Sequence, residues 1–401
     1  MWYKTEMLFY SDLTSKEDNY MSWWGNETSV RFPNIGIECN KLPRGIAIGS
    51  FNIAFYGVLI AAGMLLGIAL SRWKARKTGQ DQDIYLDFAL WAIPFSVLGA
   101  RIYYVAFQWD QFKDNFWSIF NIRQGGLAIY GGVIVAILSV IIYSRIKKLK
   151  LGLMADTGII GLILGQIIGR WGNFFNREVF GKFTDSAFAM QIDISDKALS
   201  SIYNPSLVSE SLLRNMFEGK EDTLNNILEI RNNIMVLSDG RQFIQVHPTF
   251  LYESVWNILV LIILLIAWPK KKFNGEILLM YLAGYGFGRF FIEGIRTDQL
   301  YIWGTGLAVS QVLSAILFIA AVVLIIIFRT KAIRSGEAKH VSLMLNAAAA
   351  KNEEESTEDA SYTAFEARED NHGKIVDADI KDADYIDMKI KDPKYKDISK
   401  N

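Results

Sequence analysis

Residues 250–268 read FLYESVWNILVLIILLIAW, nineteen positions with a single charged side chain, Glu253. A helix of about 20 predominantly apolar residues crosses a hydrocarbon core roughly 30 Å thick. Six further segments meet or approach that test, at about 53–70, 86–107, 127–143, 153–168, 277–292 and 307–328. Those at 153–168 and 277–292 are expected to be the weakest, both being rich in glycine and the second interrupted by tyrosine and arginine. The whole chain has 401 residues, 51% hydrophobic and 13% aromatic, which suits a bundle of spans better than a set of soluble domains. The expected fold class is an all-α integral membrane protein with seven transmembrane helices.

Charge and composition narrow the class. Basic and acidic side chains both number 42, so the basic excess that favours nucleic acid is missing. The single cysteine, Cys39, precludes an intrachain disulfide framework, and three histidines leave little material for a metal centre. No metal and no organic cofactor is expected. Fourteen Lys and Arg collect after the first, third, fifth and seventh apolar segments, against three (Lys113, Arg123, Arg296) in the alternate short loops. The positive-inside rule then puts the N-terminus outside and the C-terminus in the cytoplasm.

Three regions follow. Residues 1–49 read as a polar N-terminal extension whose start lacks the features of a signal peptide. Residues 50–330 hold the seven spans, with 177–246 as an extracytoplasmic insertion between helices four and five. Residues 331–401 read as an acidic, disordered cytoplasmic tail with room for a short helix near 343–351. From 335 onward it carries 16 acidic and 10 basic side chains.

Ionisable groups at membrane depth are costly and mark function. Tyr281, Tyr285, Arg289 and Glu293 fall four apart, on one helical face. An Arg289–Glu293 pair that only fixes helix packing is the plainer explanation, but it does not require the tyrosines. Arg170 and Asn173 share a face at the end of the fourth helix, followed by Asn176, Glu178 and Gly181. Interfacial anchoring would explain Arg170 simply; a guanidinium also suits a phosphate, because its fork stays charged in a dry site. Paired glycines flank Tyr130 (Gly125-Gly126 and Gly131-Gly132), and His247-Pro248 opens the fifth helix ahead of Glu253. Tyr56 and Arg101 add polar groups toward the outer leaflet.

Taken together, the segments resemble the prolipoprotein diacylglyceryl transferase family. The carrying residues are Gly169-Arg170-x-Gly172-Asn173-Phe174-x-Asn176-x-Glu178-x-x-Gly181, supported by Gly125-Gly126-Leu127…Tyr130-Gly131-Gly132, His247-Pro248-x-x-Leu251-Tyr252-Glu253 and Tyr285-Gly286-x-x-Arg289-x-x-x-Glu293. The resemblance spans roughly residues 50–330. It implies a multi-pass enzyme of the bacterial cell membrane that moves the diacylglyceryl group of phosphatidylglycerol onto the lipobox cysteine of prolipoprotein signal peptides. The products are a thioether and glycerol 1-phosphate, in the first step of lipoprotein maturation. It further implies Arg170 and Arg289 at the headgroup and leaving phosphate, with Asn173, Glu178, Gly181, Tyr56, Arg101 and His247 completing the substrate site. Tyr130, Tyr285, Arg289 and Glu293 form the catalytic set. Some members carry histidine where Tyr130 stands, and a phenol with a pKa of about 10 is a poor base near neutrality. Tyr130 and Glu293 are the first two candidates for the proton acceptor, with Glu178 and His247 behind them. The alternative from composition alone is a transporter or channel for an anionic substrate.

Overall fold

The computed structural model describes residues 28–48, 51–113, 115–122, 125–297, 299, 301 and 307–351. Residues 1–27 of the polar extension, Arg123, Gln124 and the tail from 352 onward lie outside the described residues. Seven helices of 18 to 26 residues make the bundle: α1 (Phe55–Lys77), α2 (Asp83–Phe107), α3 (Ile129–Ile146), α4 (Leu151–Asn176), α8 (Thr249–Ala267), α9 (Glu276–Gly294) and α10 (Val309–Arg334). Six are long and apolar enough to cross a membrane, and α9 is the exception. Its tyrosines, glycines, Arg289 and Glu293 lower its hydropathy, so the expected seven spans stand at six by that test. Residues 337–351 are also helical, extending the short helix expected near 343–351.

The bundle turns its apolar side chains outward and its charges inward. Leu65, Leu90, Trp91, Ile137, Ile263 and Ile319 are exposed, while Asn173, Glu253 and Glu293 are buried. In water that arrangement would forfeit the hydrophobic driving force; in lipid it is the stable one. Close packing between helices comes from small residues. A Cβ added at Gly67 of α1 would stand 2.5 Å from the Gly161 carbonyl oxygen of α4, so the two backbones touch where a larger side chain would part them. At the end of the bundle farthest from the sheet described below, Asp156 of α4 is fully buried. It accepts from Lys271 Nζ at 2.9 Å and from the backbone N–H groups of Gly275 and Leu278 at 2.9 and 3.0 Å, which caps α9.

The other end carries a five-stranded antiparallel sheet. Its strands are β1 (Thr28–Phe32), β2 (Ile37–Leu42), β5 (Met190–Asp193), β6 (Met235–Val236) and β7 (Gln242–Val246), in the order β2-β1-β5-β7-β6. A separate hairpin, β3 (Gly45–Ile48) and β4 (Phe51–Ala54), leads into α1. Val30, Ile192 and Ile244 stand opposite one another across three strands, and all three are fully buried. Burial of that kind is worth about 1.5–3 kcal/mol per side chain. The short helices α5 (Lys197–Tyr203), α6 (Glu210–Met216) and α7 (Glu221–Asn232) complete the same core through Leu199, Leu213, Leu224 and Ile230. Residues 28–42, expected as part of a polar extension, are therefore one layer with the 177–246 insertion. Arg44 and Arg177 clamp this layer by sharing Asp196 Oδ2 at 2.6 and 3.3 Å.

Candidate functional site

Helix α4 ends abruptly, and its end shapes the site. Arg177 takes a left-handed conformation (φ 56°) at the cap, and the Glu178 N–H reaches back to the Asn173 carbonyl at 3.1 Å. Val179 follows at φ 59°, a conformation a β-branched residue adopts only when its surroundings impose it. The Thr249 hydroxyl, at the start of α8, donates to the Val179 carbonyl and holds the turn. Two residues on, Gly181 donates its N–H to the His247 carbonyl at 2.9 Å, and Lys182 donates to the Ile295 carbonyl at 2.7 Å. A Cβ at Gly181 would meet the His247 Cβ at 2.7 Å and the Ile295 oxygen at 2.8 Å. The expected site glycine is thus the crossing point of three chain segments.

This crossing aligns α4, α8 and α9 so that their charges meet. Glu253 of α8 is the hub: its Oε2 lies 2.6 Å from Arg170 Nε, and its Oε1 accepts from Arg289 Nη1 at 2.7 Å. Arg289 Nη2 is 2.5 Å from Glu293 Oε2, and Ser310 at the start of α10 donates to Glu293 Oε1 at 2.6 Å. Arg296 approaches both acids, 3.7 Å from Glu253 and 3.8 Å from Glu293. Three guanidiniums therefore face two carboxylates. The acids are the more buried partners, at 4% and 6% side-chain exposure, against 22% for Arg170 and 17% for Arg289. The terminal nitrogens of Arg170 make no hydrogen bond among the described residues. The i,i+4 pair expected between Arg289 and Glu293 forms, but as one edge of a larger network.

The remaining expected residues divide into those beside this network and those away from it. Asn173 and Asn176 both donate their amides to Glu178 Oε1, at 3.3 and 3.1 Å. The Tyr56 ring lies over Gly172, where a Cβ would come within 2.5 Å of it, and its hydroxyl is in electrostatic range of Glu178 and Arg170. Tyr285 stacks on Tyr281 at 5.6 Å. His247 Nδ1 sits 3.2 Å from the Tyr252 hydroxyl, and burial pulls its pKa below the usual imidazole range.

Arg101 is occupied elsewhere. Its guanidinium donates to the backbone carbonyls of Ser118, Ile119, Asn121, Gly125 and Gly126, at 2.7 to 3.3 Å. Gly126 makes room for it, since a Cβ there would lie 2.4 Å from Arg101 Nη1. With its donors taken by carbonyls, Arg101 shapes the loop before α3. Tyr130, on the first turn of α3, is half exposed, and its hydroxyl has no partner among the described residues. No described contact joins it to the Glu253 network. Sequence reasoning gave Glu253 no role beyond another acid at depth, and it passed over Ser310 altogether. The i,i+4 step from Arg289 to Glu293 was visible; a carboxylate bridging two other helices has no sequence spacing to reveal it. Among the described residues, no group of three or more His, Cys, Asp or Glu could hold a metal ion.

Comparison with known proteins gives the family. Residues 43–327 match the family model described as prolipoprotein diacylglyceryl transferase. A phosphatidylglycerol–prolipoprotein diacylglyceryl transferase of Listeria monocytogenes serotype 4a (strain HCC23) is 41% identical over 289 residues, covering 72% of this chain and 90% of the relative. Proteins of the same name from Enterococcus faecalis (37% over 279 residues, 69% of this chain and 87% of the relative) and Finegoldia magna (36% over 292 residues, 73% and 97%) are also similar.

Proposed function

The chain belongs to the prolipoprotein diacylglyceryl transferase family, and from that premise we propose how its own residues carry out the transfer. It is a membrane enzyme acting in lipoprotein maturation, and the transporter or channel expectation finds no support among its relatives. The donor is phosphatidylglycerol, and the acceptor is the lipobox cysteine of a prolipoprotein signal peptide. All seven long helices span the bilayer, α9 included, because its polar face is turned to its neighbours. The sheet end faces outside and the Asp156 end the cytoplasm, as the distribution of basic residues requires.

The thiolate sulfur attacks the glyceryl carbon that bears the phosphate oxygen. A C–S bond forms, the C–O bond breaks, and glycerol 1-phosphate leaves with the bonding electrons and one more negative charge. Because that charge develops at the phosphate, fixed cations there lower the barrier more than they bind the ground state. Arg170 and Arg289 supply them, with the open terminal nitrogens of Arg170 as the phosphate-facing fork. Glu253 and Glu293 hold both guanidiniums in place. Asn173, Glu178 and Tyr56 line the donor's headgroup, and Tyr285 belongs with Arg289 and Glu293 to the catalytic face of α9, while Gly181 and His247 fix the crossing that brings α4, α8 and α9 together. Arg101 acts by ordering the Gly125–Gly126 turn next to Tyr130. Tyr130 contacts the reacting groups from α3 and, with Glu293, remains the candidate acceptor for the thiol proton.

The observation that carries this reading is the meeting of Arg170 and Arg289 on the one carboxylate of Glu253. The test is reconstitution with phosphatidylglycerol labelled in its acyl chains and a lipobox peptide. Label on the peptide cysteine is the expected outcome. Lipid retention or uptake without covalent transfer would refute it.

A further inference from the structure

One turn deeper than the ionic network, the same three helices present a second polar layer, and this one is neutral. Gln166 precedes Arg170 by four residues on α4, Asn257 follows Glu253 by four on α8, and Tyr285 precedes Arg289 by four on α9. Four residues of helix advance about 6 Å along the axis. Helix α4 ends at the sheet, α8 starts from it, and α9 ends at the bridge between Gly181 and Arg296. All three displacements therefore run the same way, away from the sheet and into the bundle.

Asn257 is only 2% exposed, yet its amide nitrogen has no acceptor among the described residues. A buried donor left unpaired costs about 1–3 kcal/mol, and leucine would fill the place without that cost. Two partly buried side chains of the same layer offer further donors. Gln166 spends its Oε1 on the Tyr281 hydroxyl at 3.1 Å, and its amide nitrogen has no protein acceptor among the described residues. The Tyr285 hydroxyl likewise has none, although its ring is fixed by stacking on Tyr281. The three side chains are uncharged, and among the described residues the donors of two amides and a phenol are left without a protein acceptor. A ligand that complements it carries neutral acceptor oxygens.

We infer that Asn257, with Gln166 and Tyr285, forms a subsite for the ester carbonyl oxygens of the glycerolipid whose phosphate lies in the Arg170–Arg289 layer. This rests on the transferase reading. In a diacyl glycerophospholipid the ester carbonyls belong to the same glycerol as the phosphate and lie on its hydrocarbon side, a few bonds away. The axial offset between the two layers suits that spacing. Phosphate held in one layer and carbonyls in the other would fix the glyceryl carbon between them, where sulfur must arrive in line. Asn257 is then a positioning residue that also selects diacyl over dialkyl donors.

The experiment compares peptide lipidation from diester phosphatidylglycerol and from its dialkyl ether analogue of equal chain length. The ether analogue keeps the phosphate and the bond to be broken but lacks both carbonyls. The intact enzyme is expected to show kcat/KM about tenfold lower on the ether donor, the loss of about one buried hydrogen bond. Asn257→Leu is expected to fall about tenfold on the diester donor and hardly further on the ether donor, bringing the ratio close to one. An unchanged ratio in Asn257→Leu would overturn the assignment, because a purely structural residue slows both donors alike. A ratio of one in the intact enzyme would overturn it without any variant. Absence of lipidation from either donor would instead remove the transferase reading beneath it.

Discussion

Replacing Glu253 by Gln is the perturbation that probes the network most sharply. The carboxylate is buried to 4% exposure and makes contacts at 2.6 and 2.7 Å to two guanidiniums on different helices. At an effective dielectric near 20, each pair of unit charges at about 4 Å is worth roughly 4 kcal/mol before desolvation is subtracted. Breaking a buried pair by removing one partner typically costs about 3–5 kcal/mol, because the opposite charge stays behind unpaired. Glutamine keeps the shape but turns an NH₂ group toward one of its two arginines, setting donor against donor. With about 3 kcal/mol of arginine ordering lost, transfer slows roughly 100-fold. The net positive charge rises by one, so phosphatidylglycerol binding does not weaken. Steady-state lipidation of a labelled lipobox peptide across a range of donor concentrations separates the two terms. The expected result is a kcat reduced about 100-fold with an unchanged or lower KM for the lipid. A Glu253→Gln enzyme with normal kcat would refute the claim that this carboxylate orders the arginines.

Four further outcomes follow from the same geometry. Arg170→Ala and Arg289→Ala should each lower kcat/KM at least 100-fold, with the Lys variants recovering only part because an ammonium cannot present a fork; near-normal turnover in both Ala variants would remove the headgroup assignment. Tyr130→Phe should slow transfer about 100- to 10,000-fold if the hydroxyl handles the thiol proton, and full activity would eliminate it. Asp156→Asn leaves Lys271 buried without its counter-ion and should destabilise the protein by about 3–5 kcal/mol; an unchanged melting temperature would show that the cap on α9 is dispensable. For His247, burial sets the folded pKa below the free value of about 6.5, so the unfolded chain binds its proton first on acidification. Its stabilising contribution is complete above that value and declines as pH falls below it. The melting temperature of His247→Asn should therefore drop less between pH 7 and 5.5 than that of the intact protein; equal slopes would contradict this.

The sequence makes the helices legible because each apolar run has only to be long enough. It also places Arg170 and Arg289 in one environment, since the blocks around them carry charges that lipid cannot accept. What it hides depends on contacts between distant segments. The sheet joins residues 28–42 to 190–193 and 235–246, strands of two to six residues whose short runs carry little pattern. Glu253 is hidden for a similar reason: its partners lie 83 and 36 residues away in the chain, beyond any helical period. Arg101 is hidden in the same way: its spacing along α2 does not show that it donates to five backbone carbonyls of the following loop.

The most direct measurement is a structure of the protein in a bilayer disc containing phosphatidylglycerol. The account predicts a lipid phosphate within charge-assisted hydrogen-bond distance, about 2.7–2.9 Å, of nitrogens from both Arg170 and Arg289. A phosphate bound elsewhere, with the two guanidiniums engaged only by Glu253 and Glu293, would contradict it.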